Sequence, residues 1–234
     1  MKKIFMTGAI ALSVLSLSVT ANASGQTDYA LAKAINTQTD AQLHAEQNPE
    51  MEYIKITRSN RLYEEIWHDR TNLFGRTDTY QIDGKIEQSQ YLLSGGQRQV
   101  TIKYPSINVV RTFGKVDHFD PKVAVVNQNA LKNSYIEQMA AEFTWKDTGE
   151  IYVLPDGKKS RKKTATKTIA NGVVTSTLYV DPATNFPLQQ EVTWDTVTPG
   201  QGGHRITHET REFKRLQVVY YSLFMLPTNI TLNE

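Results

Sequence analysis

The chain contains no cysteine, which excludes both disulfide bonds and thiolate chemistry. It also contains no G-x-S-x-G segment to present a nucleophilic serine. His204 and His208 have strand spacing that places them about 13 Å apart on one face, and no third ligand accompanies them. We therefore expect no catalytic residues, no metal and no cofactor, in a protein that binds a molecule instead of transforming it.

The chain has little net charge. It carries 26 Lys and Arg against 24 Asp and Glu, and Lys2 and Lys3 lie in a segment that we expect to be removed. The remaining chain is formally neutral, so no overall field attracts it to nucleic acid. We predict no nucleic-acid partner.

The first residues have the parts of an export signal. A positively charged start precedes an apolar run over residues 4–19, and Ala-Asn-Ala at 21–23 forms a small-residue cleavage site. We predict a signal peptide over residues 1–23 and a periplasmic or secreted protein that is soluble after cleavage near Ala23. The rest of the chain is long enough for one substantial core, so we expect a single domain over residues 24–234.

Apolar and polar residues alternate over most of the chain, which is typical of strands with one wet face. Helical spacing interrupts the alternation at 27–47 and at 120–143, where Pro121 occupies a first helical position. The candidate strands, separated by turn-forming residues, are 53–58, 61–68, 74–81, 85–93, 97–104, 107–113, 150–154, 161–169, 173–180, 188–195, 205–214 and 216–223.

The strand pattern predicts an α+β fold with a curved antiparallel sheet. Val100 and Ile102 alternate with Gln99 and Thr101, so one face is apolar. A long sheet of this kind curls, and a concavity that the few helices do not fill is a pocket for an apolar ligand. The predicted lining of that pocket consists of Trp67, Phe74, Val100, Ile102, Tyr104, Val109, Leu178, Val180, Val192 and Trp194.

Three segments follow one another in an informative order. They are Trp-His-Asp-Arg-Thr-Asn-Leu-Phe at 67–74, Leu-Ser-Gly-Gly-Gln at 93–97 with Tyr-Pro-Ser-Ile-Asn-Val-Val at 104–110, and Tyr-Val-Asp-Pro-Ala-Thr-Asn-Phe-Pro-Leu at 179–188. In this order they resemble the periplasmic lipoprotein carriers of the LolA and LolB type and their wider lipid-binding relatives. The resemblance spans most of residues 60–195.

The resemblance implies an incomplete β-barrel with a helical lid over a cavity that accepts lipid or lipoprotein acyl chains. Arg70 matches the arginine that bonds to the lid-helix backbone and holds the cavity closed. Phe74 matches the aromatic residue associated with the direction of cargo transfer. Thr71 stands where the carriers usually have a proline after the arginine. The resemblance therefore supports the family's fold more strongly than its lipoprotein-carrying role.

A lysine-rich hairpin has no match in the carriers. Its basic residues are Lys158, Lys159, Arg161, Lys162, Lys163 and Lys167. The first interpretation of these residues is a solvated hairpin that resists edge pairing, and the alternative is a surface for anionic headgroups or a protein partner. The leading interpretation is an exported carrier of an apolar ligand. The alternatives are an envelope sensor or protein-interaction module of the same fold and, third, a hydrolase whose site the sequence does not show.

Overall fold

The computed structural model describes residues 46–104, 112–197, 203–219, 221–228 and 230–233. The strands are β1 (Glu46–Arg58), β2 (Tyr63–Asp69), β3 (Phe74–Tyr80), β4 (Ile86–Leu93), β5 (Arg98–Lys103), β6 (Thr112–His118), β7 (Lys146–Val153), β8 (Lys159–Ile169), β9 (Gly172–Val180), β10 (Pro187–Val197), β11 (His204–Val219) and β12 (Ile230–Asn233). The helices are α1 (Pro121–Lys132) and α2 (Tyr135–Ala141), and Ser94–Gly96 and Tyr221–Phe224 form 3-10 turns.

All the described strands belong to one sheet. Its spatial order is β12-β6-β5-β4-β3-β2-β1-β11-β10-β9-β8-β7. Neighbours are antiparallel throughout, except that β12 runs parallel to β6. The end strands β12 and β7 do not pair with each other, so over the described residues the sheet is not closed into a barrel. The fold is α+β, with a large, mostly antiparallel curved sheet and helices between β6 and β7.

The sheet buries opposite faces in its two halves. Directly paired residues share a face, so the registers of Ile54 with Phe213 and of Trp67 with Tyr53 assign the faces. We call the face that carries Ile54 the helix face, because α1 and α2 lie on it. We call the face that carries Trp67 the tail face, because the C-terminal segment 221–233 packs on it.

The core on the helix face lies in the C-terminal half of the sheet. Ile136 of α2 is fully buried there between the central strands and β9. The buried members of this core are Ile54, Ile56, Ile136, Leu178, Val180 and Phe213. Alternation in β1 and β9 therefore points these residues at α2.

The core on the tail face lies in the N-terminal half. Met51 packs with Phe224, and the rings of Phe74 and Phe224 lie 5.6 Å apart. The buried residues of the adjoining cluster are Tyr91, Leu93, Val100, Ile102, Val116 and Leu226. The C-terminal segment thus covers the face of these strands that is opposite to the helices.

Local sequence explains where the two helices begin. The Asp120 carboxylate accepts from the backbone N–H of Lys122 and Val123 at 2.8 and 3.1 Å, and Pro121 occupies the first turn, as predicted. Ser134 caps α2 by accepting from Glu137 N at 3.0 Å. Gly96 has φ +88° and lies so near α1 that a Cβ would stand 2.8 Å from Gln128 N.

Three predictions about the elements need correction. Residues 46 and 47 of the predicted helix 27–47 belong to β1, and residues 27–45 lie outside the described residues. The two strands predicted at 205–214 and 216–223 are one strand, β11, followed by a 3-10 turn. No glycine, proline, asparagine or aspartate occurs between Ile206 and Leu226, so nothing in the sequence interrupts the strand at 215. Residues 107–111 of the strand predicted at 107–113 lie outside the described residues, and neither the part of β6 after residue 113 nor the short parallel strand β12 was predicted.

Candidate functional site

A buried polar cluster fastens the helices to the sheet. Glu52 on β1 is paired in register with His68 on β2, and both side chains are fully buried on the helix face. His68 Nδ1 lies 3.3 Å from Glu52 Oε2, and His68 Nε2 lies 2.8 Å from the carbonyl oxygen of Leu131 in α1. The other Glu52 oxygen accepts from the Ser134 hydroxyl, and Tyr135 N donates to Oε2 at 2.8 Å. We call Glu52, His68 and Ser134 the helix anchor.

The geometry of the helix anchor fixes its charges. Burial by itself raises the pKa of Glu52, but hydrogen bonds from His68, Ser134 and Tyr135 and the charge of His68 outweigh it and hold the pKa below 4.5. Each ring nitrogen of His68 lies within hydrogen-bond distance of an acceptor, one a carboxylate and the other a carbonyl. The cluster is therefore a buried, hydrogen-bonded polar network at the junction between α1 and α2.

Arg70 reaches the same junction from the turn after β2. Its Nε donates to the carbonyl oxygen of Lys132, the last residue of α1, at 3.2 Å. Asp69 shapes this turn by accepting from Thr71 N and Asn72 N at 2.9 and 3.0 Å. The hydrogen bond between Arg70 and Lys132 is exposed, whereas the one between His68 and Leu131 is buried. The role of Arg70 as a lid latch stays a prediction.

We expect Arg70→Leu to speed hydrogen exchange in the last turn of α1 while lowering the free energy of unfolding by only about 1 kcal/mol. The effect is local because the bond between His68 and Leu131 remains. Hydrogen exchange followed by mass spectrometry over residues 121–141 measures it, with the exposed Arg205→Leu on β11 as a matched control. Unchanged protection of α1 in Arg70→Leu rules the latch out.

A groove of about 660 Å³ lies on the helix face beside α2. Leu178 and Val180 form its buried floor, and Ala140 and Ala141 contribute from the helix. The other lining residues are Glu137, Trp145, Lys163, Asp181, Thr184, Asn185, Phe186, Pro187, Leu188 and Arg215. Trp145 is fixed against the end of α2 because its Nε1 donates to Ala140 O at 2.6 Å. The groove therefore has an apolar, aromatic interior.

The rim of the groove is charged. The guanidinium carbon of Arg215 lies 4.7 Å from the centre of the Phe186 ring. Its Nη2 pairs with Glu137 Oε1 of α2 at 3.3 Å. Lys163 Nζ and Arg161 both donate to the Asn185 side-chain oxygen, at 2.8 and 2.9 Å. Two cations thus converge on one neutral acceptor beside the groove.

The predicted lining residues do not meet in one place. Trp67, Phe74, Val100, Ile102 and Tyr104 lie on the tail face, in or against the cores there. Leu178, Val180, Val192 and Trp194 lie on the helix face, and of these Leu178 and Val180 line the groove. Val109 lies outside the described residues. One cavity lined by the whole set is therefore not formed by the described residues.

Sequence reasoning missed the helix anchor and the aromatic groove residues Trp145 and Phe186. A signal for the anchor is present, because Glu52 shares the strand parity of Ile54 and Ile56 and is thus a charge at an inward position. His68 likewise lies two residues after Ile66, so both side chains point to the same face of β2. The sequence holds no comparable signal that Phe186 would meet Arg215.

The lysine-rich hairpin is formed by β7 and β8, and its basic residues lie on or beside β8. Its three acidic residues pair with basic ones: Asp147 with Arg161, Glu150 with Lys162 and Asp156 with Lys158, at 3.2, 2.9 and 2.8 Å.

Among the described residues there is no group of three side chains that could hold a metal ion. Neither described helix is long and apolar enough to span a membrane.

Comparison with known proteins assigns no family. No family model matches the chain, and no curated protein matches its sequence. A solved structure of an uncharacterized conserved protein from Thermus thermophilus is 11% identical, with a TM-score of 0.40, covering 86% of this chain and 98% of that one. At this level of similarity the function has to be argued from the site itself.

Proposed function

We propose that this protein is an exported, non-catalytic carrier or binding protein that holds the acyl chain of a lipid or lipoprotein in the groove beside α2. The observation that carries the proposal is the groove itself. Its volume of about 660 Å³ falls within the range of about 300–1,000 Å³ typical of small-ligand pockets. Leu178, Val180 and Trp145 offer an acyl chain an apolar surface.

The charged rim suits the other end of an amphiphile. Lys163 and Arg161 can exchange their shared neutral acceptor, Asn185, for a carboxylate or phosphate, which binds cations more strongly. The Asp181 carboxylate, which also lines the groove, already accepts hydrogen bonds from the backbone N–H groups of Ala183 and Thr184, both at 2.8 Å. Lys163 therefore offers a positive charge beside the groove to an anionic headgroup, whereas Arg161 is also paired with Asp147 at 3.2 Å.

In this proposal the sheet acts as an incomplete β-barrel and α1 and α2 act as its lid. The helix anchor and Arg70 fasten the lid at the junction of the helices, whereas the groove lies along α2. Entry of a ligand then requires α2 to move relative to Arg215 and Phe186, because Glu137 of α2 pairs with Arg215 at the rim. The export signal predicted over residues 1–23, which lie outside the described residues, motivates placing this carrier outside the cytoplasmic membrane.

A titration with a fluorescent fatty acyl probe tests the proposal. Ala141 is an exposed residue in the groove wall, so Ala141→Trp narrows the groove without entering the core. We expect this change to weaken binding of the probe about tenfold in lipid-stripped protein. Asn129→Trp places the same side chain on the exposed surface of α1 and serves as the matched control.

Mass spectrometry of an organic-solvent extract of the purified protein identifies any ligand that it retains. Binding that is saturable, displaced by unlabelled fatty acid and weakened only by Ala141→Trp supports the carrier. Absence of displaceable binding, or equal weakening by both tryptophan variants, contradicts it and favours the protein-interaction alternative.

A further inference from the structure

The last three residues of the end strand β7 lack the protection that sheet edges usually carry. Exposed edges usually carry lysine, proline or a bulge, which discourage further pairing. Lys146 and a register shift occupy the start of β7, but Ile151, Tyr152 and Val153 follow with 61%, 46% and 56% of their surface exposed, and the lysine-rich residues lie one strand inward, on β8. In the described part of the chain β7 pairs only with β8.

The hydrogen-bonding groups of β7 alternate between β8 and the open edge. Leu154 N donates to Lys158 O at 2.9 Å, and the Tyr152 carbonyl accepts from the Ser160 hydroxyl at 3.0 Å, so both residues face β8. By the antiparallel alternation, the N–H and C=O groups of Ile151 and Val153 point away from β8. These two residues offer an incoming strand two donors and two acceptors.

The charge around this edge is strongly positive. Residues 146–169 contain seven Lys and Arg against three Asp and Glu, and each acid is paired within the hairpin. Lys159 is directly opposite Val153, and Arg161 is opposite Ile151. An added strand lies two strand spacings from β8, about 10 Å, which long cationic and glutamate side chains can bridge together.

We propose that β7 binds an extended acidic segment of a partner protein, which adds to the sheet as a further antiparallel or parallel strand. Main-chain bonds to Ile151 and Val153 supply the pairing, and glutamates on the helix face meet Lys159 and Arg161. A second copy of this chain is disfavoured as the occupant, because edge-to-edge pairing would bring two positively charged hairpins together. Ile151, Val153 and Lys159 do not line the groove, so strand pairing can be lost without loss of acyl-chain binding, and the reverse.

A short synthetic peptide of alternating glutamate and valine is the probe, titrated by fluorescence anisotropy against the full purified chain. Val153→Pro removes an outward N–H without touching the ladder between β7 and β8, so the hairpin stays intact. We expect Val153→Pro to weaken peptide binding at least about tenfold. Val153→Thr keeps the N–H and is expected to bind within about threefold of the unchanged protein.

The contribution of charge is tested at Lys159, which does not line the groove. Lys159→Glu is expected to weaken the peptide several-fold and to reduce the salt dependence of its binding. Polyglutamate of matched charge and vesicles of anionic lipid are the competing probes. Equal binding of the peptide by Val153→Pro and the unchanged protein overturns the proposal, and so does a preference for polyglutamate or vesicles. Self-association that Val153→Pro abolishes also overturns it, because the occupant is then a second copy.

Discussion

Replacing Glu52 with alanine is expected to lower the free energy of unfolding by about 3 to 5 kcal/mol, because three buried polar groups lose their partner at about 1 to 3 kcal/mol each. The change removes the carboxylate that the His68 ring, the Ser134 hydroxyl and the Tyr135 N–H share. These groups lie at the junction of α1 and α2, so the helices lose their main polar attachment to β1 and β2. Urea denaturation followed by circular dichroism measures the loss. A loss smaller than about 1 kcal/mol would show that the helix anchor does not hold the helices.

The matched control is Glu87→Ala, which removes an exposed glutamate from β4. Its effect is expected to stay within about 0.5 kcal/mol, the range of ordinary surface substitutions. Because the pKa of Glu52 is lowered in the folded state, its stabilising contribution is present above the unfolded pKa and is lost as pH falls through the folded pKa. The stability of the unchanged protein should therefore fall in acid below about pH 4.5, and Glu52→Gln, which cannot titrate, should show a shallower fall.

Residue alternation predicted which side chains share a face but not which face is covered. Val100 and Ile102 are buried and Gln99 and Thr101 are not, as the pattern requires. The same pattern in β9 buries Leu178 and Val180, yet on the opposite side of the sheet. A period of two is unchanged when a strand is turned over, so it carries no information about which side the connecting segments cross.

Chain connectivity decides the covered side. The helices follow β6 and cross to the far end of the sheet over the helix face, whereas the C-terminal segment returns over the tail face and ends beside β6. β12 has only four residues, so the sequence contained no strand pattern from which the tail core could be predicted. Pro121 was a better guide to the start of α1, because its effect lies within one helical turn.

The groove and the helix anchor depend on contacts between residues far apart in sequence. Glu52 meets Ser134 and His68 meets Leu131 only because β1, β2 and the junction of α1 and α2 come together. Residue alternation predicts that Glu52 points inward, but only the register between β1 and β2 shows that its partner is His68. The turn formed around Asp69 positions Arg70 for its contact with Lys132. This turn is a local feature of the site that the sequence does show.

Arg76→Met is expected to detach the C-terminal segment from the tail face and to lower the free energy of unfolding by about 3 kcal/mol or more. Arg76 forms a bidentate pair with the buried Asp78 at 2.6 and 3.0 Å, and its Nη1 donates to Leu223 O at 2.7 Å. Its guanidinium also lies 5.2 Å from the rings of both Trp67 and Tyr91. Methionine keeps part of the packing but leaves the Asp78 carboxylate buried without a cation.

The double variant Arg76→Met with Asp78→Val separates the two contributions. Removing both charges should recover much of the stability, because an apolar pair in a buried site avoids the desolvation of an unpaired carboxylate. It should not recover the bond to Leu223 O, so limited proteolysis of residues 221–233 should stay faster than in the unchanged protein. If the single and double variants are equally unstable, the buried carboxylate is not the cause. If proteolysis of the segment is unchanged in both, Arg76 does not hold the C-terminal segment, and the apolar contacts of Phe224 and Leu226 suffice to keep the tail face covered.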